Sequence, residues 1–306
     1  NEVLFTINAG IAETKTIITD NGDGTYTPSW DGTESLGVLF SAPNVDTRQS
    51  DVVEFANMAE AGSTASFSGT VSVTGDGTFY AFHPAGAFYR GYSEGDARLD
   101  LKGEQKPTAT SFDPSCDILV AQPYHYTVVD GSVTADPLYF TRIMSVLKLN
   151  LISDFADIDN EFVESISFNT GGVNIVGYAR IFLDNPVFEG NWASSGDGYN
   201  TVTARYDSDL VSINGESKSV YFVVAPVTIP SDNELTFTIK TKNYNITKTI
   251  AKDKHPEMSF PAGNVAVINL NITEEDCEVI DSSIDYSGEW LITGVNSDQV
   301  YAAKKW

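Results

Sequence analysis

Basic residues are scarce in this sequence of 306 amino acids. Eighteen Lys and Arg face 42 Asp and Glu, for a formal charge of −24. Nucleic-acid binding needs basic stripes to neutralise phosphates, so that class is excluded, and anionic membrane surfaces are disfavoured for the same reason. Such acidity keeps an exposed protein soluble, because like-charged copies repel one another. Cysteine is scarcer still. Cys116 and Cys277 are the only two, which excludes a disulfide framework and any CxxC pair, while their spacing leaves a bridge between them open. No apolar run is long enough to cross a bilayer as a helix. No basic-apolar leader is present, and a chain opening at Asn1-Glu2 reads as processed or trimmed.

Catalytic motifs are also missing. The three histidines, His83, His125 and His255, each stand beside proline or turn residues. There is no GxSxG elbow, HExxH, phosphate loop or dinucleotide fingerprint. With 42 carboxylates, chance acidic pairs are guaranteed, so a glycosidase-like pair stays open, though no motif surrounds one. The acidic turn Asp20-Asn21-Gly22-Asp23-Gly24 lacks the alternating ligands and distal Glu of a calcium loop. The expectation is a protein that is not an enzyme, with no cofactor and no metal.

What the chain has is strand. It is 42% hydrophobic, with 24 Gly and 12 Pro scattered between short apolar runs, so packed cores joined by many turns are expected. Leu138 to Leu151 is a long apolar run near the middle. Leu147, Leu149 and Leu151 alternate with Lys148 and Asn150, the period of a half-buried strand. Phe140, Ile143, Met144 and Leu147 also fit helical spacing, but every flanking segment reads as strand. The run is expected to close one β-domain and lead into the next. Before it, Val3–Ile7, Leu36–Phe40 and Ile118–Ala121 read as strands. Ala65–Val73 and Thr78–Phe82 read as a hairpin across Gly75-Asp76-Gly77. After the acidic spacer Asp154–Glu164 come Val202–Tyr206, Leu235–Ile239, Val265–Ile272 and Val220–Ala225, the last apolar on both faces.

Thr273–Glu289 holds seven acidic residues and no basic one, which reads as a solvated linker. Beyond it, Gly288–Gly294 and Val300–Ala303 look like strands of a third unit, too short to fold alone. The expected class is all-β, most simply sandwiches, with domains at 1–153 and 154–272 and a partial unit at 273–306. Tyr89, Tyr92, Trp192, Tyr199 and Trp290 lie near Gly- and Ser-rich loops. There they either stack on glycans, with Trp192 and Trp290 foremost, or cover the sandwich ends. Lys240, Lys242, Lys248, Lys252 and Lys254 form a basic cluster, with Lys240 and Lys242 expected on the outward face of a strand, where they would discourage edge-to-edge pairing.

Several segments together resemble the fimbrillin family of Bacteroidales, the subunits of type V pili. Trp30-Asp31-Gly32 with Leu36-Gly37-Val38-Leu39-Phe40 is similar to the family's early Trp and "G-D-x-I-G-V-F" strand, with Glu34-Ser35 where Gly-Asp is usual. Phe79 to Ala85 resembles an aromatic strand ending in "Y-P". Phe112-Asp113-Pro114, Asp117–Ala121 and Phe140–Leu149 resemble the close of the N-terminal domain. Val220–Pro226, Leu235–Thr241 and Phe260–Ile272 resemble the end of the C-terminal domain. The resemblance covers about residues 1–272.

It implies two transthyretin-like β-sandwich domains in tandem and export as a lipoprotein to the cell surface, associated with the outer membrane. It also implies pilus assembly in which a neighbouring subunit's strand fills a groove left by removal of the N-terminal strand. Val3, Leu4, Phe5, Thr6 and Ile7 are then the removable strand, the other reading being a permanent edge strand. Lys15 and Arg48, the only basic residues before Arg90, are the possible processing sites. A stalk subunit needs a free C-terminal strand to donate, so the material after Ile272 points to a tip or accessory adhesin. The expected partners are other pilus subunits and a host or bacterial surface receptor or glycan. The alternative is a surface glycan-binding protein using loop aromatics.

Overall fold

The computed structural model describes residues 2–10, 17–20, 26–30, 32–46, 51–60, 62, 64–91, 95–186, 199–208, 211–213 and 216–280, with backbone alone at 17–20 and 26–29. Among these the class is all-β: helix is limited to four 3-10 turns. β1 (Glu2–Gly10) precedes the hairpin of β2 (Ile17–Asp20) and β3 (Tyr26–Ser29). Then follow β4 (Ser35–Ser41), β5 (Val53–Asn57), β6 (Ala65–Ser72) and β7 (Gly77–His83). Next come β8 (Phe88–Arg90), β9 (Asp96–Leu101), β10 (Glu104–Gln105), β11 (Leu119–Ala121), β12 (Tyr124–Tyr126) and β13 (Ser132–Arg142). The chain continues with β14 (Ser145–Ser153), β15 (Glu161–Phe162), β16 (Ser165–Asn169), β17 (Gly177–Phe182), β18 (Thr201–Arg205), β19 (Ser212–Ile213) and β20 (Lys218–Val224). The described part ends with β21 (Thr228–Ile229), β22 (Leu235–Lys240), β23 (Tyr244–Ile250), β24 (Met258–Ser259), β25 (Val265–Ile272) and β26 (Cys277–Val279).

Eight strands form one sheet in the order β11-β13-β1-β6-β5-β4-β7-β12. The far end of β7 also pairs with β11, so the sheet closes on itself. Closure satisfies the backbone groups an open edge would leave bare. The first core lies inside this sheet, around Trp30, Phe5, Phe40, Phe55, Phe67 and Phe79. A second core is enclosed by the sheets β10-β18-β16-β22-β23-β26, β20-β14-β25 and β17-β9-β8.

The two cores share a wall. On β4, Val38 and Phe40 face the first core and Leu39 the second. On β7, Phe79 and Ala81 face the first, Tyr80 and Phe82 the second. Leu119 and Ala121 of β11 are likewise opposed by Val120. Strands buried on both faces need unbroken apolar runs, which is why LGVLF and TFYAF show no alternation.

Several expectations change. β6 and β7 do not pair across Gly75-Asp76-Gly77: β6 pairs with β1 and β5, β7 with β4 and β11. The turn is real, with Gly75 at φ +70°, but turn chemistry bends the chain without choosing its partner. Leu138–Leu151 is strand at both ends, β13 to Arg142 and β14 from Ser145, as the alternation of Leu147, Leu149 and Leu151 requires of its later part, yet it is divided between the cores. Leu138 and Phe140 of β13 pack in the first, while Ile143, Met144 and the leucines of β14 pack in the second. At the division Arg142 donates a two-pronged bond to Asp117, its Nη2–Oδ2 arm 2.7 Å long, both side chains being buried.

Both acidic stretches carry strand of their own. Within Asp154–Glu164, Ile158 and Val163 are buried and β15 pairs with β19. Thr273–Val279 forms a capped 3-10 turn and then β26, which extends the β23 edge. In the first, buried apolar side chains anchor the segment; in the second, the Asp276 carboxylate accepts from Lys248 and Thr273 and the backbone pairs with β23. Elsewhere Gln105, fully buried, stands in for a strand: its amide donates to Val223 O (2.7 Å) and accepts from Val223 N (2.8 Å) at the edge of β20.

Candidate functional site

β1 alternates strictly. Val3, Phe5, Ile7 and Ala9 are 3% exposed or less, while Leu4 on the opposite face is 49% exposed. It runs antiparallel to β6, from Glu2 opposite Ser72 to Ala9 opposite Ala65. On its other side it runs parallel to β13, from Leu4 opposite Ser132 to Gly10 opposite Tyr139, with one irregularity between Ile7 and Ala9. The permanent-edge reading is therefore corrected: β1 is an interior strand. A strand with one apolar face was compatible with either place, since edge and interior positions of a one-faced sheet share the same alternation.

Phe5 is the centre of the contact. Its ring meets Phe40 at 4.9 Å, Tyr126 at 5.1 Å, Phe79 at 6.2 Å and Phe55 at 6.3 Å between centroids. Opposite it on β6 is Gly69, where a Cβ would come within 2.4 Å of the Phe55 ring; glycine leaves that ring room to lie across the strand. Ser68 Oγ donates to Phe5 O at 3.2 Å and Asn8 Nδ2 to Ala135 O at 3.4 Å. Without β1, β13 and β6 would each present a row of unpaired N–H and C=O groups. Between them would lie a furrow floored by four aromatic rings. Each side chain of Phe5 or Ile7 size stabilises by about 1.5–3 kcal/mol when it fills such a furrow.

Lys15, Arg48, Tyr92, Trp192 and Trp290 lie outside the described residues. Tyr89 is on β8, directly before Arg90 and Gly91, and Tyr199 lies against Gly177. The other residues singled out in the sequence do not converge. Cys116 and Cys277 are free thiols; burial pushes the first up to about 12 and the second up to about 11. His83 is buried in the shared wall, its Nδ1 3.0 Å from Ser35 O. His125 Nδ1 is 2.7 Å from Thr78 Oγ1, and His255 Nε2 is 2.9 Å from Asn233 O. Lys240 is on the outward face of β22, as expected, although β22 lies between β16 and β23 and not at a sheet edge; it pairs with Glu164 at 3.8 Å.

A polar depression of about 630 Å³ is lined by Glu161, Glu164, Arg205, Asp207, Lys242 and Asn243 among others. Its ionisable groups are already engaged: Arg205 with Glu104, Asp207 with Lys106, Glu161 with Asn243. Partial burial pushes the Glu161 carboxyl up, but bonds from Thr241 and Asn243 and the charge of Lys242 hold it below the usual carboxylate range. That is the arrangement of an ion-pair surface.

A sequence model of the Fimbrillin-like family matches residues 16–286 of this chain. The chain belongs to the fimbrillin-like family. β1 stands ahead of the matched span. Among solved structures, this fimbrillin-like chain is similar to a candidate cell adhesion protein from Bacteroides ovatus, at 13% identity and a TM-score of 0.52, covering 90% of this chain and 94% of that one. It also aligns with the tip fimbrial protein Mfa3 from Porphyromonas gingivalis, C-terminally truncated, at 13% identity and a TM-score of 0.40, covering 92% and 98%. At these identities the first comparison speaks for a shared fold. No curated protein matches the fimbrillin-like chain at a significant level.

Proposed function

We propose that the chain is a non-catalytic subunit of a cell-surface pilus, assembled by strand addition with β1 as the strand exchanged. One observation carries this. β1 closes a sheet from an interior position while burying only one face, so its departure opens one furrow and leaves the second core untouched. A strand from another subunit would then supply both the missing backbone pairs and the apolar side chains, as in other cases of β-augmentation. Family membership supports the pilus role.

Finer points of the same proposal follow from the family resemblance: transthyretin-like sandwiches, export as a lipoprotein, association with the outer membrane, and a tip or accessory adhesin position. For the domains, the core assignments favour a division between Arg142 and Ser145 over one at 153, with β9 and β10 lent by the first half to the second core.

The test is to place a specific protease site within residues 11–16, cut it, and offer a fluorescent peptide of sequence EVLFTINAG. Exchange of the labelled peptide into the cut protein, and failure of the same peptide carrying Phe5→Ala, is the expected result. A cut protein that never releases its own β1 under conditions where β14 and β20 stay protected from hydrogen exchange would sink the proposal. A second reading, a surface glycan-binding protein, is favoured by aromatic side chains exposed on a small sheet.

A further inference from the structure

The three-stranded sheet β17-β9-β8 buries Ala97, Leu99, Leu101, Ala179 and Ile181 on its inner face. Its outer face is unusual for so acidic a chain. Of ten large apolar side chains exposed among the described residues, three are here: Tyr89 (44%), Tyr178 (47%) and Phe182 (39%). The pairing register sets them on a grid. Arg180, Arg98 and Tyr89 share one row across the strands; Tyr178 pairs with Asp100 in the next row, and Phe182 with Asp96 in the row on the other side. The Arg98 guanidinium lies 5.8 Å from the Tyr89 ring centroid and that of Arg180 4.8 Å from Phe182. Beside Tyr89 the surface sinks into a hollow of about 360 Å³, bordered by Asp51, Glu54, Gly86, Arg90 and Arg98.

We propose that this face, with the adjoining hollow, is a binding platform for an uncharged oligosaccharide. Three features select that ligand. Ring faces offer an apolar surface to the C–H side of a pyranose, while the partly exposed Arg98 and Arg180 guanidinium groups and the Asp100 carboxylate offer donors and acceptors to its hydroxyls; Asp96 is buried and serves as the partner of Arg180. The charges balance locally: Arg180 pairs with Asp96, Arg90 with Asp51 at 3.6 Å, and Arg98 stands between Asp96 and Asp100 on one face of β9. A polyanion would gain little attraction there, and its own charge would meet a chain of −24. The area also matters. Three strands spaced about 4.8 Å apart, over four residues of about 3.4 Å each, give on the order of 200 Å². A stable protein interface needs about 800 Å² per partner, so this face is sized for a few sugar rings.

Strand exchange is a separate matter, tested at Phe5, so the two proposals fail independently. The platform is tested on the intact chain by isothermal titration and ligand-observed NMR with cellohexaose, laminarihexaose, maltohexaose and mannohexaose. Hexagalacturonic acid and a heparin hexasaccharide serve as anionic probes. At least one neutral hexasaccharide is expected to bind with a Kd of about 1 mM or tighter. Tyr178→Ala and Tyr89→Ala should each weaken that binding at least tenfold, with unfolding midpoints unchanged. Asp100→Asn, which leaves every ring in place, should weaken it at least threefold. Absence of binding by all four neutral probes at 10 mM overturns the proposal. So does neutral-probe binding indifferent to these substitutions, or tighter binding of the anionic probes. Concentration-dependent self-association that Tyr178→Ala abolishes would make the face a protein contact and overturn it as well.

Discussion

The closed sheet of this fimbrillin-like chain has two unlike sides. β1, β6 and β5 bury one face and show the other to water, and their sequences alternate accordingly. β4, β7 and β11 are buried on both faces, because each divides one core from the other. The contrast teaches where a strand can be traded. Removing a wall strand would open both cores at once; removing β1 opens one. Strand exchange is therefore compatible with a folded second core only on the alternating side.

The largest effect is expected at the end of the wall. Arg142→Met strips the partner from buried Asp117 and should cost about 3–5 kcal/mol in denaturant unfolding. Adding Asp117→Leu should restore most of it, since the desolvated charge goes too. If the single and double variants are equally unstable, the ion pair is not what holds the junction. Phe5→Ala should cost about 3 kcal/mol, through lost burial and the cavity among Phe40, Phe55, Phe79 and Tyr126. Here hydrogen exchange should quicken in β13 and β6 while β14 and β20 stay protected. Equal loosening of both cores would erase the distinction between the two sides.

A smaller effect belongs to β26. Partial burial pushes the Asp276 carboxyl up, but bonds from Lys248 and from Thr273 N and Oγ1 hold it below the usual carboxylate range. A depressed carboxylate stabilises above that range and loses its contribution as pH falls through it. Amide exchange at residues 277–279, corrected for its intrinsic pH dependence, should therefore rise on acidification below pH 4, and Asp276→Asn should flatten the response. The local cost of that substitution should be about 1 kcal/mol. The smallest effect is on the outward face of β1: Leu4→Thr should change stability by less than about 0.5 kcal/mol. A large loss there would mean that the outer face is covered after all.

Much of this was legible in the residues. Alternation in Leu147–Leu151 and in Leu235–Ile239 marked strands and their inward faces correctly, and Val3–Ile7 was legible as a strand. The resemblance pointed to the family that the sequence model matches. The platform was half visible: Tyr89 was noticed, but Arg98, Tyr178, Arg180 and Phe182 were not. They lie on strands 80 residues apart, and only sheet pairing brings them together. Gln105 was invisible for the same reason, since its partner is Val223.

By itself, then, the sequence determined the class and the local geometry: strand period, turn positions and an acidic surface all follow from near neighbours along the chain. Only the tertiary structure decided partnership. It made β1 an interior strand, set β6 apart from β7 despite an inviting turn, and placed the boundary between cores inside one apolar run. Strand pairing joins backbones that are chemically alike everywhere, so its choice depends on how distant side chains fill a common core. No local pattern can carry that information.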